Sequence, residues 1–343
     1  MKKLRISVLM HEDLVPPEDA SGLSDQELAS AQFKTEYDVV VTLQDLGHEV
    51  RPLGVSDDLT PIRDAISEFK PHIAFNLLEE FHGIGVYDQH IVSYLELMKQ
   101  PYSGCNPRGL TLAHDKALSK KILAYHDICV PRFAVFPIGK NIQPDNRIEF
   151  PLLVKSSTEE GSVGISQASI VHDDGKLQDR VEFVHEQLGT DAIAEQYIEG
   201  RELYVGVIGN ERLSTLPIWE MEFKNMPATI PHIATGKVKW DEKYQKRHGI
   251  QTGTAKNIPK DVAAQIPRLC KQIYQALSLS GYARMDLRLT NGGQIYLLEA
   301  NPNPQLAYGE DFAESAHCAG IDYEQLLMKI VKLGLKYRAQ GIA

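Results

Sequence analysis

Asp286, Glu299 and Asn301 are the residues of this sequence best suited to hold a hard cation. They lie in "YARMDLRLTNGGQIYLLEAN", two alternating runs around Asn291-Gly292, a strong signal for a two-residue hairpin. With that pair as the turn, position 286 faces 297 and position 284 faces 299, because opposed residue numbers share one sum. On a period of two, Arg284, Asp286, Leu297, Glu299 and Asn301 then share a face, while Met285, Leu287, Tyr296 and Leu298 line the other. A one-residue bulge at Gly293 would shift this register. Two carboxylates and an amide oxygen on one face suit Mg²⁺, which prefers oxygen ligands and keeps waters that a phosphate can replace. Arg284 beside them can face an anion held by the metal. Taken alone, the hairpin also reads as a solvated face carrying an Arg–Glu pair; the motifs upstream favour the metal.

Lys155 ends an apolar strand immediately before "SSTEEGSVGIS", where small residues let backbone N–H groups turn toward phosphate oxygens and the lysine adds a point charge. Further on, "AEQYIEGREL" supplies Glu195, Gln196, Tyr197 and Ile198 on a short segment able to offer backbone hydrogen bonds to a base, with Glu202 placed for ribose hydroxyls.

The elements that must position these groups follow from periodicity. "KLRISVLM" alternates as a strand, "YDVVVTLQDLGHEVRPLGV" runs as a helix to Gly47 and then a second strand, and "HIAFNL" is a third. Strands alternating with helices imply a doubly wound parallel sheet with ligands beyond the carboxyl ends of its strands, which puts "MHEDLVPPEDASG" and "NLLEEFHGIGVYD" at one rim. Glycine and proline cluster in "YSGCNPRGLT", a boundary, after which "LTLAHDKALSKKILAYHDI" has helical spacing. The expected units are 1–105, 106–198 and 199–343. From about residue 216 to 259 the apolar period weakens, which marks a loop over a site. Amphipathic helices are expected in "DVAAQIPRLCKQIYQALSLSG" and "DYEQLLMKIVKLGLKYRAQ".

Composition narrows the class. With 343 residues, 43% hydrophobic, the chain can bury full cores in two or three domains. Its net charge of -10 argues against nucleic acid or an anionic membrane as the main partner. No apolar run approaches a membrane span and no signal-peptide pattern opens the chain, so a cytoplasmic protein is expected. The four cysteines are widely separated and form no metal or disulfide pattern.

In order, "HDK", "LLVKSSTEEGSVG", "EQYIEGREL", "ARMDLRL" and "LLEANPNP" resemble the ATP-grasp superfamily, and most closely its D-alanine:D-alanine ligase branch. The resemblance implies an ATP-grasp fold of an N-terminal α/β domain, a small α+β domain and a C-terminal domain carrying the metal and acceptor site, in which ATP is clamped between the sheets of the last two domains. Lys116 and Lys155 then resemble the phosphate-contacting lysines, and Ser162 lies in the loop covering the phosphates. Glu195, Gln196, Tyr197 and Ile198 would line the adenine pocket, and Glu202 would bind ribose. Asp286, Glu299 and Asn301 would hold two Mg²⁺ ions, with Mn²⁺ as a substitute, and Arg284 would stabilise a tetrahedral intermediate. The implied reaction is the joining of a small-molecule carboxylate to an amine through an acyl phosphate, by a homodimer. A closing lid is expected to keep water from that intermediate; Lys239 with Trp240 is the first choice, and Lys243-Tyr244 fits almost as well. A kinase that stops at phosphorylation, or an ATP-binding regulator without turnover, are the alternatives.

The chain departs from this family at its substrate ends. In "FHGIGVYDQ", His82, Gly83 and Asp88 resemble positions near the first substrate, but Tyr87 stands where the ligase has glutamate. After the first strand, Glu12 and Glu18 both compete for the family's glutamate position. After Asn301, "PNPQLAYGEDFAESA" places Gln305 at the glycine of the oxyanion hole and Glu310 at the serine that meets the acceptor carboxylate. A carboxylate there repels another, so the acceptor is expected to be cationic or to lack a free carboxylate, unless Glu310 and Asp311 only cap the following helix.

Overall fold

The computed structural model describes residues 2–339 apart from 144–146, 160 and 228–229; the side chains of Ser21, Asp25 and Trp240 also lie outside the described residues. Three sheets follow one another along the chain. The first comprises β1 (Arg5–His11), β2 (Glu49–Val55) and β3 (Ile73–Asn76), all parallel, in the order β2-β1-β3. Its helices are α1 (Asp25–Ser30), α2 (Lys34–Asp45), α3 (Thr60–Glu68) and α4 (Asp88–Leu97). Alternation along β1 decides where they pack. Ile6, Val8 and Met10 meet Val39, Val40 and Leu43 of α2, while Leu9 turns to the other side with Ile62 of α3 and Leu95 of α4. Helices thus cover both faces, the doubly wound arrangement that the βα alternation predicts.

The single helix expected over "LTLAHDKALSKKILAYHDI" is two: α5 (Pro107–His114) and α6 (Lys116–Tyr125). Asp115 breaks the run with an extended backbone, and its carboxylate caps α6 by accepting from Leu118 N–H. The second sheet contains β4 (Phe133–Phe136), β5 (Leu152–Ser156), β6 (Ile170–Val171) and β7 (Ala192–Gln196), antiparallel in the order β4-β7-β5-β6. One face packs Leu152, Val154, Ala192 and Ala194 against Leu177, Val181 and Val184 of α7 (Asp174–Leu188). The other face is left to Lys155 and Glu195.

The third sheet runs β11-β10-β8-β12-β13, with β9 paired to β8, from β8 (Arg201–Ile208), β9 (Ser214–Thr215), β10 (Trp219–Phe223), β11 (Ile250–Thr254), β12 (Tyr282–Leu289) and β13 (Ile295–Pro302). The stretch 216–259 is therefore not an irregular loop. It supplies β10, β11 and two short helices, α8 (Gly236–Trp240) and α9 (Glu242–His248). Its apolar anchors are few, Trp219, Met221, Val238 and Ile250 packed around Tyr204, which is why no period emerges from the sequence. Helix α10 (Lys260–Ala276) lays Ile266, Cys270 and Ile273 against the sheet's Leu203, Met285 and Leu287. Finally α11 (Asp311–Cys318) and α12 (Tyr323–Lys336) return to the first sheet, burying Leu327, Ile330 and Val331 with Ile6, Val8 and Phe75.

The β12–β13 hairpin corrects the expected register twice. Its turn is longer by one residue: Thr290 N–H bonds Gln294 O and Gly293 N–H bonds Thr290 O, with Gly293 at φ 83°. Leu287 therefore faces Leu297, and Arg288 faces Tyr296. A bulge at Leu298 then adds a second residue, after which Asp286 faces Glu299 and Arg284 faces Asn301. Leu297 consequently sits in the core with Leu287, not on the carboxylate face, and Tyr296 pairs with Arg288 instead of joining the apolar side.

Candidate active site

The carboxylate face of β12 and β13 is enclosed by cations from three other elements. Arg284 chelates Asp286 with both arms, Nε to Oδ1 at 2.7 Å and Nη2 to Oδ2 at 2.9 Å, and its guanidinium lies 5.0 Å from the Tyr204 ring centre. Lys116, the first residue of α6, places Nζ 2.8 Å from Glu299 Oε1 and donates to the Glu159 carbonyl at 2.7 Å. Lys239, from α8, is a positive neighbour of both carboxylates. Burial pushes the Asp286 carboxyl up against the pull of Arg284. Burial works the same way on Glu299, but the charges of Lys116 and Lys155 outweigh it and hold that carboxyl well below its ordinary value. The buried amide nitrogen of Asn301 has no partner among the described residues, so this amide is not committed to a structural bond.

Across the second sheet, Lys155 and Lys120 share one acceptor: their ammonium groups lie 3.4 and 3.3 Å from Glu195 Oε1. Burial lowers the Lys155 pKa, yet Glu195 and Glu299 override it and the net shift is upward, so this lysine is a fixed cation. The glycine loop after Lys155 reaches the α8 segment. Ser162, in a left-handed conformation at φ 64°, donates Oγ to Ala234 O at 2.7 Å, and Gln167 donates to Pro231 O at 3.2 Å. The glycine loop and the segment leading into α8 are thus bonded to each other.

The hinge from β7 to β8 carries the expected adenine residues in differing ways. Glu195 is spent on the two lysines. Gln196 N–H bonds Arg132 O, Tyr197 N–H bonds Pro151 O, and Ile198 is buried. Glu202 is not free either, since Oε2 accepts from Arg288 Nη2 and Oε1 from the Tyr204 hydroxyl, each at 2.8 Å. A cavity of about 220 Å³ opens beside Glu202, between Gly200, Glu220, Phe223 and His232. A larger one, about 770 Å³, borders the edge strand β4 near Lys121 and Arg132, outside the cluster.

The substrate-end residues are less gathered. Glu12 is exposed in the turn after β1, and His82 is exposed at φ 59° with its N–H on Ser56 O. No hydrogen bond or ion pair among the described residues links either to the carboxylates. Asp88 is buried at the start of α4, 3.5 Å from His114 Nδ1. Gln305 reaches back to the first domain, Nε2 to Thr35 Oγ1 at 3.4 Å. Glu310 does occupy the N-cap of α11, but without a side-chain capping bond, and Asp311 accepts from Trp219 Nε1 at 3.0 Å. Glu310 instead lies within the fields of Asp311, Lys34 and Arg284; burial and Asp311 raise its pKa against the two cations.

Among the described residues, no group of three or more His, Cys, Asp or Glu forms a ready-made cation cage. Two carboxylates with an uncommitted amide nevertheless fit Mg²⁺, because they leave coordination positions for water and phosphate oxygens. Lys120, Arg288 and Tyr204 escaped sequence reasoning. Lys120 is one helical turn from Lys116, and Arg288 continues the 284, 286 alternation, so spacing alone could have found both.

Comparisons with known proteins show what the chain is similar to. The family described as "D-ala D-ala ligase C-terminus" matches residues 124–332. The D-alanine--D-alanine ligase of Desulforudis audaxviator is 29% identical over 335 residues, 96% of this chain and 98% of that protein. An uncharacterized protein, y4sG, of Sinorhizobium fredii is 29% identical over 317 residues, 89% of this chain and 88% of that one. The crystal structure of D-alanine--D-alanine ligase from Bacillus anthracis complexed with ATP superposes with a TM-score of 0.72 at 25% identity, covering 97% of this chain and 98% of the other.

Proposed function

This chain belongs to the D-Ala-D-Ala ligase family, and on that premise we propose that it is an ADP-forming ligase joining a small-molecule carboxylate, such as an amino acid, to an amine through an acyl phosphate. The observation that carries the proposal is the pairing of Asp286 with Glu299 inside a ring of Arg284, Lys116, Lys155 and Lys239. In this reading residues 1–105 bind the first substrate, 106–198 cover ATP, and 199–343 carry the metal and acceptor site.

Asp286, Glu299 and Asn301 would hold Mg²⁺, two ions in our assignment and replaceable by Mn²⁺, which would neutralise phosphate oxygens when bound. The protein's own cations do the rest. Attack of a carboxylate on a γ-phosphate brings anions together, and Lys116 and Lys155 offset that charge as it redistributes. Gln196, Tyr197 and Ile198 line the adenine pocket, and Glu202, oriented by Arg288 and Tyr204, takes the ribose. Arg284, held by Asp286 through Nε and Nη2, would stabilise the oxyanion formed when the amine attacks the acyl phosphate. Ser162 and Lys239 sit on the two segments that close over the phosphates and exclude water. His82, Asp88 and Glu12 belong to the first-substrate side.

The acceptor is not D-alanine. Gln305 is drawn toward Thr35, and by the family resemblance Glu310 stands in the position of the serine that meets the acceptor carboxylate, which favours an amine that is cationic or lacks a free carboxylate. We assign a homodimer, as the family resemblance implies, and a cytoplasmic location; no helix among the described residues is long and apolar enough to cross a membrane.

The test is to incubate the purified protein with Mg-ATP and pooled amino acids and amines, follow ADP and phosphate, and weigh the products. A mass equal to two substrates minus water supports the ligase. A stable phosphorylated product would make it a kinase, and absence of turnover with every pool would favour a regulator.

A further inference from the structure

Three consecutive residues of β13 are gripped by one short length of chain. Leu297 N–H donates to Cys129 O at 2.9 Å, Leu298 O accepts from Lys120 Nζ at 2.6 Å, and Glu299 Oε1 lies 2.8 Å from Lys116 Nζ. Lys116 and Lys120 are four residues apart on α6 and so share one face of the helix. Cys129 follows that helix.

Leu298 is the bulge residue, the one left out of the pairing between Leu287–Leu297 and Asp286–Glu299. Side chains alternate across a strand, so without the extra residue Leu298 would face Asp286, and Glu299 would turn to the apolar side with Met285. The bulge is what puts Glu299 opposite Asp286. Its carbonyl accepts from a lysine that is itself only 2% exposed.

We propose that Lys120 is a positioning residue that pins the Leu298 bulge, and with it the register of Glu299, to the second domain. The second anchor is Glu195, 3.3 Å from the same ammonium group. Lys120 thereby ties the end of β7, ahead of the hinge, to the carboxylate end of β13, and neither substrate nor nucleotide need touch it. The consequence for cation binding rests on the metal reading of Asp286 and Glu299; the pinning of the bulge does not.

Two readouts on purified Lys120→Met, which keeps the length and loses the donor, separate these layers. The first is hydrogen exchange of the 297–301 amides in the ligand-free protein. Exchange there is expected to speed up by about tenfold or more, while the amides of α10 keep wild-type rates. The second is Mn²⁺ binding in the presence of ADP, followed by free-Mn²⁺ resonance, with an expected loss of about 10–100-fold as for other groups that orient a metal ligand. Lys120→Arg, which restores a donor, should recover part of both. Unchanged exchange at 297–301 in Lys120→Met would overturn the proposal. If wild type fails to bind Mn²⁺ with ADP, the metal reading falls while the exchange experiment still decides the pinning. Should Lys120→Met not fold, Glu195→Gln, which loosens the second anchor of Lys120, is expected to accelerate the same amides; wild-type rates there would sink the idea equally.

Discussion

Asp286 stands directly opposite Glu299 on neighbouring antiparallel strands, and each carboxylate has its own cation, Arg284 on the first and Lys116 on the second. Two buried like charges at this spacing repel unless something positive lies between them. The two carboxyls respond oppositely, Asp286 shifted up and Glu299 shifted down, because Glu299 faces more of the lysine charge.

Asp286→Asn and Glu299→Gln are each expected to lower turnover by at least about a hundredfold, since each removes one anionic oxygen donor from the cation site. Circular dichroism should show both variants folded, because the strands are held by the β8–β12–β13 ladder and not by these side chains. Full activity in either variant refutes the metal assignment.

Glu36 makes stability depend on pH. It is 5% exposed in the first turn of α2, one carboxylate oxygen has no partner among the described residues, and burial, followed by the charges of Glu79 and Asp38, pushes its pKa from 4.5 to about 7 against the pull of its own backbone N–H. A raised folded-state pKa means the native protein binds the extra proton between pH 4.5 and about 7. Its contribution is fully present below 4.5 and is lost as pH rises through about 7, on the order of 3 kcal/mol in all. Glu36→Gln should remove most of this loss in denaturant melts at pH 5 and pH 8; an unchanged pH slope would show that Glu36 is ionised throughout.

Lys34 and Asp38 hold the loop after β13 by its backbone. Lys34 Nζ donates to Tyr308 O at 2.5 Å, Tyr308 N–H donates to Asp38 Oδ2 at 2.8 Å, and the two side chains pair at 2.7 Å. Because this loop carries Gln305 and Glu310, Lys34→Met is expected to raise the amine KM by about tenfold or more while the ATP KM stays within about twofold. Parallel changes in both constants would mean that the clasp supports the fold generally.

Glu310→Ser removes the carboxylate beside Arg284 and Lys34. The variant should lose preference for its natural amine and gain activity with acceptors that carry a free carboxylate, a shift of roughly 1–3 kcal/mol in relative kcat/KM. An unchanged order of preference among a panel of amines would eliminate Glu310 as the residue that reads the acceptor.

The doubly wound first domain was legible because strand alternation and helix period are local, and Leu4 to Met10 with Val39 to Leu43 obey them. Lys155, Asp286 and Glu299 stood out for a different reason, as residue types rather than as a period, and the structure brings them into one cluster. The stretch 216–259 was misread because β10, β11 and α8 are held by only a few buried side chains around Tyr204, too sparse to set a period. Glu202 looked free because its partners, Arg288 and Tyr204, lie on a neighbouring strand and on its own strand two residues away.

By itself, the sequence determined most of the elements, the family and the residue types that meet in the cluster. Only the tertiary structure decided which residue Glu299 faces. A longer turn at Gly293 and a bulge at Leu298 each add one residue, and in a strand of period two the two reversals cancel, so Glu299 keeps the carboxylate face but stands opposite Asp286 instead of Arg284. Whether a bulge forms depends on partners distant in sequence, here Lys120 and Cys129, which meet Leu298 and Leu297 only once the second and third sheets have come together.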